Sequence, residues 1–331
     1  LEVVVVDNAS TDGSEAILRR YEARPHRHPF RVIRNPENRG FAGAVNDAIH
    51  ASLGAAVLTC NPDVRPRPDH VRRVIEVLAA DDRCGAVQGK LLRTVRSPTG
   101  EPVIDTTGHV AFRTRLFRNR GEGEVDRGQW DRPGEVFGVS GALALYRRSM
   151  LEDVAIPRPP GGGRSGDPRR TGGVEVFDED LFAFWEDVDL DWRAALRGWR
   201  ARYEPTAVAE HERGGAGPRR TRRVEQLNFQ NRLLTLVKCD SWRALLPGSP
   251  GLVVTTALKA LDLLVTVPGA FLDTREGLGL VGRMRAKRAH VHGTATVPTE
   301  QVVARWFEPF DYTGWVRTWW RRVRGVPLGS G

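Results

Sequence analysis

The chain has 331 residues, of which 40% are hydrophobic, and a formal net charge of +9. This composition excludes an intrinsically disordered protein and allows one large domain with an appendage, or two domains. The cysteines form neither an even disulfide set nor a metal-ligand spacing, so we expect core thiols in a reducing, cytoplasmic compartment. They are Cys60, Cys84 and Cys239.

Strand and helix patterns alternate through the first third of the chain. LEVVVVDNAS is an apolar, β-branched run that ends in turn residues, which indicates a buried strand rather than a signal peptide. The alternation predicts an α/β fold with a mostly parallel sheet flanked by helices. The predicted strands are Val3–Val6, Phe30–Arg34, Ala55–Cys60 and Ala86–Leu92, and the predicted helices are Ser14–Ala23, Gly43–Leu53 and Asp69–Ala80.

The strand at Val3–Val6 is apolar on both faces, as in the centre of a parallel sheet. Nothing precedes it that would pair on its other side. We therefore expect either that a later strand fills that place or that the chain lacks its natural start.

The second half of the chain has a different organisation. The Pro-, Gly- and Arg-rich segment 158–173 predicts a loop, which is either a lid beside a site or a tolerated surface insertion. After His211 the alternation stops, so we place a boundary between residues 1–212 and a basic, helical extension at 213–331. Val224–Lys238 predicts an amphipathic helix whose apolar side carries Leu227, Leu233, Leu234 and Val237.

Two further features of the extension bear on its partners. Leu252–Leu272 is apolar, but Lys259, Asp262 and Pro268 interrupt it, so a helix at a membrane surface or one packed within the extension fits better than a membrane span. Arginine clusters near residues 219–223, 283–288 and 317–324 are typical of a protein with an anionic partner.

Seven of the fourteen residues from Asp178 to Asp191 are acidic, in a chain with a positive net charge. Large apolar residues alternate with them, so part of this block must fold inward. Buried carboxylates are costly unless they hold a metal or take protons, which predicts a catalytic segment at 177–199. The alternative is an amphipathic helix whose first-turn acids complement the helix dipole.

Two other polar positions follow predicted strands. Asp7 comes after VVVV, and Asp63 lies in CNPDV, which alone would be a turn. The carboxyl ends of parallel strands meet at one edge of a sheet, so both carboxylates and the acidic block are expected around one ligand. The glycines in RNPENRGFAGAVNDAI allow close approach of a phosphate to a helix start, although the P-loop lysine and hydroxyl are absent.

The order of the motifs resembles that of the family 2 inverting glycosyltransferases of the GT-A fold. The motifs are VVVVDNASTDGS, NRGFAGAVNDAI, CNPDV, FGVSGALALYRRS and FDEDLFAFWEDVDLDWRAALRGWRARYEP, followed by His211. Within that family it is most similar to the bacterial rhamnosyltransferase-like branch. The resemblance covers residues 1 to about 240, and the tail is similar to a membrane-proximal extension. The family's first strand, with its Thr-Tyr-Asn-like turn, and the helix after it have no counterpart in this chain.

The resemblance implies a role for each matching residue. Asp7 would recognise a pyrimidine, and Asn38, Arg39 and Asn46 would line the nucleotide side. In the family's Asp-x-Asp element, Asn61 stands for the first aspartate and Asp63 is the remaining metal ligand, which His211 would complete. Gly141 and Ala142 would line the acceptor side.

Asp187 would be the general base, with Glu186, Asp191 and Asp180 as alternatives, and the ring of Trp185 could stack on a sugar. A divalent cation, Mg²⁺ or Mn²⁺, is implied, and the imidazole ligand favours Mn²⁺. The expected reaction is the inverting transfer of a sugar, rhamnose in this branch, from a dTDP or UDP donor to a cell-surface polysaccharide or lipid-linked acceptor in cell wall biogenesis.

We expect a cytoplasmic protein, peripheral at the anionic inner face of the cell membrane. The main alternative is a truncated, non-catalytic homologue that binds a glycan or a partner. Nucleic-acid binding is disfavoured, because no recognition motif accompanies the arginines and the acidic block would repel phosphates.

Overall fold

The structure, a computed structural model, describes residues 1–158, 173–213 and 221–312. Almost all of the loop predicted at 158–173, part of the first arginine cluster and the whole of the last one lie outside the described residues.

The first part of the chain alternates strands and helices as expected, and the predicted elements are confirmed to within three residues at each end. These apolar runs are separated by turn residues, so their lengths are well defined by the sequence. Up to residue 112 the elements are β1 (Val3–Asp7), α1 (Ser14–Glu22), β2 (Phe30–Arg34), α2 (Gly40–Ala51), β3 (Ala56–Cys60), β4 (Val64–Pro66), α3 (His70–Ala79), β5 (Cys84–Arg93), β6 (Val103–Thr106) and β7 (His109–Phe112).

The second part begins with short strands and ends with helices. Turns of 3₁₀ helix occur at Glu179–Leu181, Leu246–Gly248 and Thr274–Leu280. The other elements are β8 (Phe117–Asn119), β9 (Gly134–Val136), β10 (Leu143–Arg147), α4 (Arg148–Asp153), β11 (Ile156–Pro157), β12 (Val174–Glu175), α5 (Glu186–Leu196), β13 (Arg200–His211), α6 (Arg222–Cys239), α7 (Trp242–Leu245), α8 (Ser249–Thr266), α9 (Pro268–Asp273), α10 (Val281–Thr294), α11 (Thr299–Trp306) and β14 (Phe307–Glu308).

Seven strands of the described residues form the main sheet, with the order β3-β10-β5-β13-β4, β6 added to β5 and β9 added to β13. The α/β fold class is confirmed, but the sheet is mixed rather than mostly parallel, because only β5 and β13 pair in parallel within it. The chain between β5 and β10 contains strands without intervening helices, so it returns by antiparallel pairing.

Strands β1 and β2 form a separate, parallel two-stranded sheet, in which Val3 lies opposite Phe30 and Asp7 opposite Arg34. Among the described residues no strand other than β2 pairs with β1, so the alternative in which a later strand fills its other side is not found.

The hydrophobic core continues from the sheet into the C-terminal helices. One cluster lies under the sheet and includes Tyr146, Phe177 and Leu190. A second cluster joins Trp192 of α5 to residues of α6, α10, α11 and β14. Whether a domain boundary lies near residue 213 stays a prediction, but the helices after it share a core with α5.

Helix α6 is confirmed, but its expected amphipathic character is wrong. Leu233 is exposed, whereas Gln230, Asn231 and Lys238 are buried. The helix packs against α5, α8 and α10, so most of its circumference is covered. Its buried polar side chains have partners, which lie within α6 for Gln230 and in the segment from Asp178 to Asp189 for Asn231 and Lys238. A periodicity of apolar residues does not reveal such contacts.

Helix α8 lies at the surface and is largely uncovered. Within the described residues, one helical stretch, Trp242–Thr266, is long and apolar enough to cross a membrane by length and composition, with a mean hydropathy of 1.3. Only 11% of that window is buried. Length and composition alone are weak evidence for a membrane span.

The thiols were expected in the core, and two of the three are buried there: Cys84 and Cys239. Cys60, the last residue of β3, is exposed, so the expectation is wrong for this residue. The residue lies where the strand leaves the sheet and enters a turn.

Candidate active site

A turn after β3 brings Asp63 beside His211. Asn61 accepts a backbone hydrogen bond from Val64 at 3.1 Å, which closes the turn. The chain then enters β4, which pairs with the end of β13 so that Val64 lies opposite His211. The backbone N–H of Glu212 also donates to the carbonyl of Asp63 at 2.9 Å. The register of two antiparallel strands therefore places the predicted metal ligands next to each other.

The side chains of Asp63 and His211 face each other, with His211 Nε2 3.4 Å from Asp63 Oδ1. On the other side of the ring, Nδ1 lies 2.7 Å from Oδ2 of Asp105, which is 2% exposed. A carboxylate behind a histidine fixes the ring and leaves its other nitrogen as a ligand, an arrangement common at metal sites. Asp105 was missed by the sequence analysis, although a carboxylate inside the apolar strand VIDT was a signal.

These two side chains fit a cation that also binds a diphosphate. Among the described residues no group of three or more His, Cys, Asp or Glu side chains is placed to hold a metal ion. A hard cation of a nucleotide site, however, commonly takes only one or two protein ligands and obtains the rest from phosphates and water. The pair of one carboxylate and one imidazole is therefore a suitable donor set.

Asp187 lies in the first turn of α5 and is held by backbone groups. Its Oδ2 accepts the N–H of Gly141 at 3.1 Å, and its Oδ1 accepts the N–H of Val188 at 2.8 Å. A Cβ atom added at Gly141 would lie only 3.0 Å from the ring of Phe41, so a larger residue would crowd this contact. The Asp187 side chain is 17% exposed, so a substrate hydroxyl can reach it.

The neighbouring acids are less suited to accept a proton. Burial raises the pKa of Glu186 well above its usual value, and the charge of Asp187 adds to this effect. Burial therefore favours the protonated form of Glu186, and its Oε2 has no hydrogen-bond partner among the described residues. Asp191 and Asp180 are also buried, the former beside His109 and the latter beside Lys287 and Arg283.

Most of the acidic block has a role that the sequence analysis did not foresee. The buried carboxylates were expected to hold a metal or take protons, but lysines of the C-terminal helices neutralise several of them. Lys238 of α6 binds Asp178 and lies 2.7 Å from Asp189, while Lys287 of α10 lies 2.8 Å from Asp180. Lys287 also lies 2.6 Å from Glu175.

Most charges of this network stabilise one another despite their burial, although burial raises the pKa of Glu175 to about 7 even beside Lys287. Lys238 and Lys287 outweigh burial and lower the pKa of Asp178 below its usual value. The carboxylates in turn raise the pKa of both lysines. The α5 acids also fit the alternative expected from sequence, because Glu186, Asp187 and Asp189 occupy the first turn of the helix.

Several arginines of the basic clusters form ion pairs within the protein. Arg222 and Arg223 bind Asp273 and Glu276, and Arg283 lies 2.8 Å from Asp180. The argument that these arginines require an external anionic partner is weaker for this reason.

The residues expected on the nucleotide side lie around the start of α2. Arg39 is buried and donates to Glu179 at 2.7 Å, and Asn46 binds the backbone of Phe177. These contacts give both side chains a structural function. Asn38 is exposed and accepts a hydrogen bond from Asn8 at 2.9 Å, while Asp7 ends β1 and accepts the N–H of Ser10.

Trp185 precedes α5 with a left-handed backbone, φ 74°. It is half-buried, and its ring packs edge-on against Phe117 at 5.5 Å between centroids. The packing fixes one edge of the indole next to the first turn of α5.

Two backbone contacts connect the Asp63 turn with Asp187. The N–H of Asn61 donates to the carbonyl of Ala142 at 2.9 Å, and the N–H of Gly141 donates to Asp187. The start of β10 thus lies between the predicted metal ligands and the predicted base. The roles of these residues stay predictions, but the structure brings Asn61, Asp63, Gly141, Ala142, Asp187 and His211 into one connected group.

Comparison with known proteins agrees with this arrangement. Residues 1–155 match the family model described as "Glycosyl transferase family 2". This part of the chain has the sequence of a family 2 glycosyltransferase domain. The resemblance inferred from the motifs is confirmed for these residues, which are just under half of the chain.

Two curated glycosyltransferases are similar to the chain beyond this domain. One, from Mycobacterium tuberculosis (strain CDC 1551 / Oshkosh), is named N-acetylglucosaminyl-diphospho-decaprenol L-rhamnosyltransferase; the match is 29% identical and covers 64% of this chain and 67% of that protein. The other is a poly-beta-1,6-N-acetyl-D-glucosamine synthase from Staphylococcus aureus (strain COL), with 24% identity over 62% of this chain. The chain spans 42% of the length of that synthase.

Among solved structures, GalNAc-T7 with UDP, GalNAc and Mn²⁺ is similar with a TM-score of 0.51 and 12% sequence identity. The match covers 73% of this chain and 43% of that one. At this identity the likeness concerns the fold, and the glycosyltransferase domain has the GT-A type of fold.

Proposed function

We propose that the chain is an inverting glycosyltransferase that transfers a sugar from a nucleotide-diphosphate donor to a glycan or lipid-linked acceptor. The observation that carries this proposal is the contact of Asp187 with Gly141, beside the segment that binds the Asp63 turn. A partly exposed carboxylate next to a two-residue cation site is the arrangement that this reaction needs.

In the proposed reaction Asp187 is the general base. The acceptor hydroxyl attacks the anomeric carbon from the face opposite the diphosphate, so a carbon–oxygen bond forms as the bond to the phosphate oxygen breaks, and the configuration inverts. The hydroxyl proton passes to a carboxylate oxygen of Asp187. Glu186 is less suited to this step because it is buried, and burial favours its protonated form.

Asp63 and His211 would hold the divalent cation, Mg²⁺ or Mn²⁺. A cation there would stabilise the negative charge of the departing nucleoside diphosphate. Asp105 orients His211, so that the imidazole nitrogen facing Asp63 is the one available as a ligand. Asp7, Asn38, Arg39, Asn46 and Asn61 are proposed on the nucleotide side, and Gly141, Ala142 and Trp185 on the acceptor side.

The donor sugar is proposed to be rhamnose and the nucleotide dTDP or UDP, in the synthesis of a cell-surface glycan. This rests on the resemblance of the motifs and on the similarity to the mycobacterial rhamnosyltransferase, whose name includes a decaprenol-linked acceptor.

Substitution of the base tests the reaction. Asp187→Asn removes the proton acceptor but keeps the size of the side chain, so turnover is expected to fall by roughly 10² to 10⁴ fold. Donor binding, followed by calorimetry with dTDP and UDP in the presence of Mn²⁺, should not change. Equal turnover in the variant and the wild type would remove Asp187 from this role.

The same calorimetry addresses the second candidate function, a homologue that binds a glycan or partner without turnover. Binding of a nucleotide sugar followed by product formation supports the glycosyltransferase function. Glycan binding with no heat of binding for either nucleotide would support the alternative.

We also propose that the outer face of α8 lies at the cytoplasmic membrane surface. Its exposed residues are apolar and recur at helical spacing, while Thr255 and Leu263 face the protein. Exposed arginines lie on neighbouring elements, at Arg243, Arg275 and Arg285, where they can approach anionic lipids. The exposed apolar side chains of α8 are Val253, Val254, Leu258, Leu261, Leu264 and Val265.

Vesicle sedimentation tests this surface. The double variant Leu261→Glu/Val265→Glu should bind vesicles containing phosphatidylglycerol about tenfold or more weakly, because it loses two apolar contacts and adds two negative charges. A matched control is Leu53→Glu/Val95→Glu, which makes the same changes at exposed positions of the glycosyltransferase domain. Equal binding by both double variants would contradict the proposal.

A further inference from the structure

A buried histidine lies between two carboxylates of α5. His109 is the first residue of β7, and its Nδ1 is 2.7 Å from Oδ2 of Asp191. Its Nε2 is 3.7 Å from Oδ2 of Asp187, just beyond hydrogen-bond distance. Asp187 and Asp191 are four positions apart on α5, so they lie on the same face of the helix and the imidazole bridges them.

The backbone around Val139 fixes both ends of this arrangement. The N–H of Val139 lies 3.1 Å from each oxygen of Asp191, and the N–H of Gly141 donates to Asp187. A Cβ atom added at Gly138 would lie 1.9 Å from Asp191 Oδ2, so this position must be glycine for the carboxylate to fit. The N–H of His109 donates to the carbonyl of Gly138 at 2.9 Å, which ties β7 to the same segment.

The charges around His109 favour its protonated form. Burial by itself lowers the pKa of His109, but Asp187 and Asp191 outweigh burial and raise this pKa above its usual value. Two further groups lie near the pair, and burial favours the uncharged form of both. Burial raises the pKa of Glu186 and of Tyr146 well above their usual values.

Asp191, the other carboxylate beside His109, is less accessible to a substrate than Asp187. Burial raises the pKa of Asp191 to about 6, against the opposing effect of His109. Two groups, the His109 ring and the N–H of Val139, nevertheless hold the Asp191 carboxyl. Asp191 is therefore anchored whether or not it shares a proton with the imidazole.

We propose that His109 is a positioning residue for Asp187, whose carboxylate it holds in place for the acceptor hydroxyl. This inference rests on the proposed function, since it takes Asp187 as the base. Asp191 anchors the ring through Nδ1 and thereby directs Nε2 toward the Asp187 carboxylate. An imidazolium at this distance attracts the carboxylate, and because the imidazole is buried, water screens this attraction less than it would at the surface.

The first experiment does not need enzyme activity. The pH titration of the His109 imidazole is followed by NMR in the wild type, in Asp187→Asn and in the surface control Asp82→Asn. The signal is assigned by its absence in His109→Gln or, if that variant does not fold, by its Overhauser contacts with Gly138. The titration midpoint should fall in Asp187→Asn and stay unchanged in Asp82→Asn, whereas an unchanged midpoint in Asp187→Asn would overturn the inference.

The second experiment uses the reaction itself. His109→Gln should lower kcat about tenfold or more without changing the KM for the donor. A fall in kcat at constant KM is the mark of a misplaced base, because the donor site itself is intact. The control is His70→Gln, a histidine that is also buried but is bonded to the Val208 carbonyl; it should leave both kcat and KM unchanged.

The two experiments separate the inference from the proposed function. If the wild type transfers sugar but the kcat of His109→Gln equals that of the wild type, the inference fails and the proposed function stands. If the wild type transfers no sugar, the proposed function fails, and the NMR titration still decides whether His109 and Asp187 are coupled.

Discussion

Glu186 and Asp187 are adjacent in the chain and share the first turn of α5, but their environments give them different chemical states. Glu186 points into the interior, where burial raises its pKa, and Asp187 is partly exposed and bound by two backbone N–H groups. The sequence identified the pair and, through the family resemblance, favoured the second residue. It did not reveal His109, because the residues that make this histidine distinctive are 78 and 82 positions away along the chain.

The buried Glu186 carboxyl predicts a pH-dependent stability. Its pKa is higher in the folded state than in the unfolded state, so the folded protein keeps a proton that the unfolded protein loses as the pH rises. The wild type therefore loses stability as the pH rises from the ordinary glutamate range toward the folded pKa. Glu186→Gln lacks this loss, so its free energy of unfolding, relative to that of the wild type, should increase from pH 5 to pH 8.

Urea denaturation at several pH values measures this difference. A control variant, Glu152→Gln, makes the same chemical change at an exposed residue of α4 and should show no such trend. A constant difference between Glu186→Gln and the wild type across this range would mean that Glu186 is ionised in the folded protein.

At the level of the elements, the segment before α5 is held by α6. Phe182, Phe184 and Trp185 all have positive φ angles, of 65°, 66° and 74°. For residues other than glycine such conformations cost of order 1 to 3 kcal/mol each and persist only where the surroundings enforce them. The amide nitrogen of Asn231, on α6, lies 2.7 to 3.0 Å from the carbonyl oxygens of Leu181, Ala183 and Phe184.

The variant Asn231→Ala should release this segment. It removes the side-chain donor that three carbonyl groups of the segment share, so the free energy of unfolding should fall by about 1 to 3 kcal/mol. Turnover should fall as well, because the segment sets the start of α5 and hence the position of Asp187. Urea denaturation and steady-state kinetics measure the two effects.

The matched control lies one turn earlier on the same helix. Asn228 donates only to the carbonyl of Val224 within α6, at 3.0 Å, so Asn228→Ala should have a small effect on both measurements. Similar losses in the two variants would show that Asn231 has no special role.

The elements that the sequence predicted well are those whose apolar pattern is local. β1, β2, β3 and β5 are short apolar runs between turn residues, and each was found near its expected bounds. The direction of strand pairing and the covered faces of α6 were not predictable in this way, because both depend on which distant segments pack together.

At the scale of the whole molecule, buried ion pairs join the acidic segment to the C-terminal helices. Lys238 and Lys287 are almost completely buried, and their partners come from residues 175–189. The sequence shows that the two regions carry opposite charges. From the sequence alone we expected the acids to form a site and the bases to form a surface for an anionic partner. Only the fold, which brings these regions together, shows that they neutralise each other.

Removal of one of these lysines should destabilise the protein strongly. Lys238→Met leaves Asp178 and Asp189 with less compensation, and loss of one partner of a buried pair costs about 3 to 5 kcal/mol. Arg72→Met is the control, because Arg72 and its partner Glu76 are both exposed, with side-chain exposures of 60% and 59%. An exposed pair contributes about 0 to 1 kcal/mol. Equal losses of unfolding free energy in urea would contradict this account.

Because of these ion pairs, we expect that the chain can be expressed as two separate fragments that associate with each other. A fragment of residues 1–212 contains the acidic partners, and a fragment of residues 213–331 contains Lys238 and Lys287, so each would expose charges and apolar surface that the other complements. When both are produced together in one cell, the two polypeptides should reassemble into a stable heterodimer, while either one alone should precipitate or be degraded.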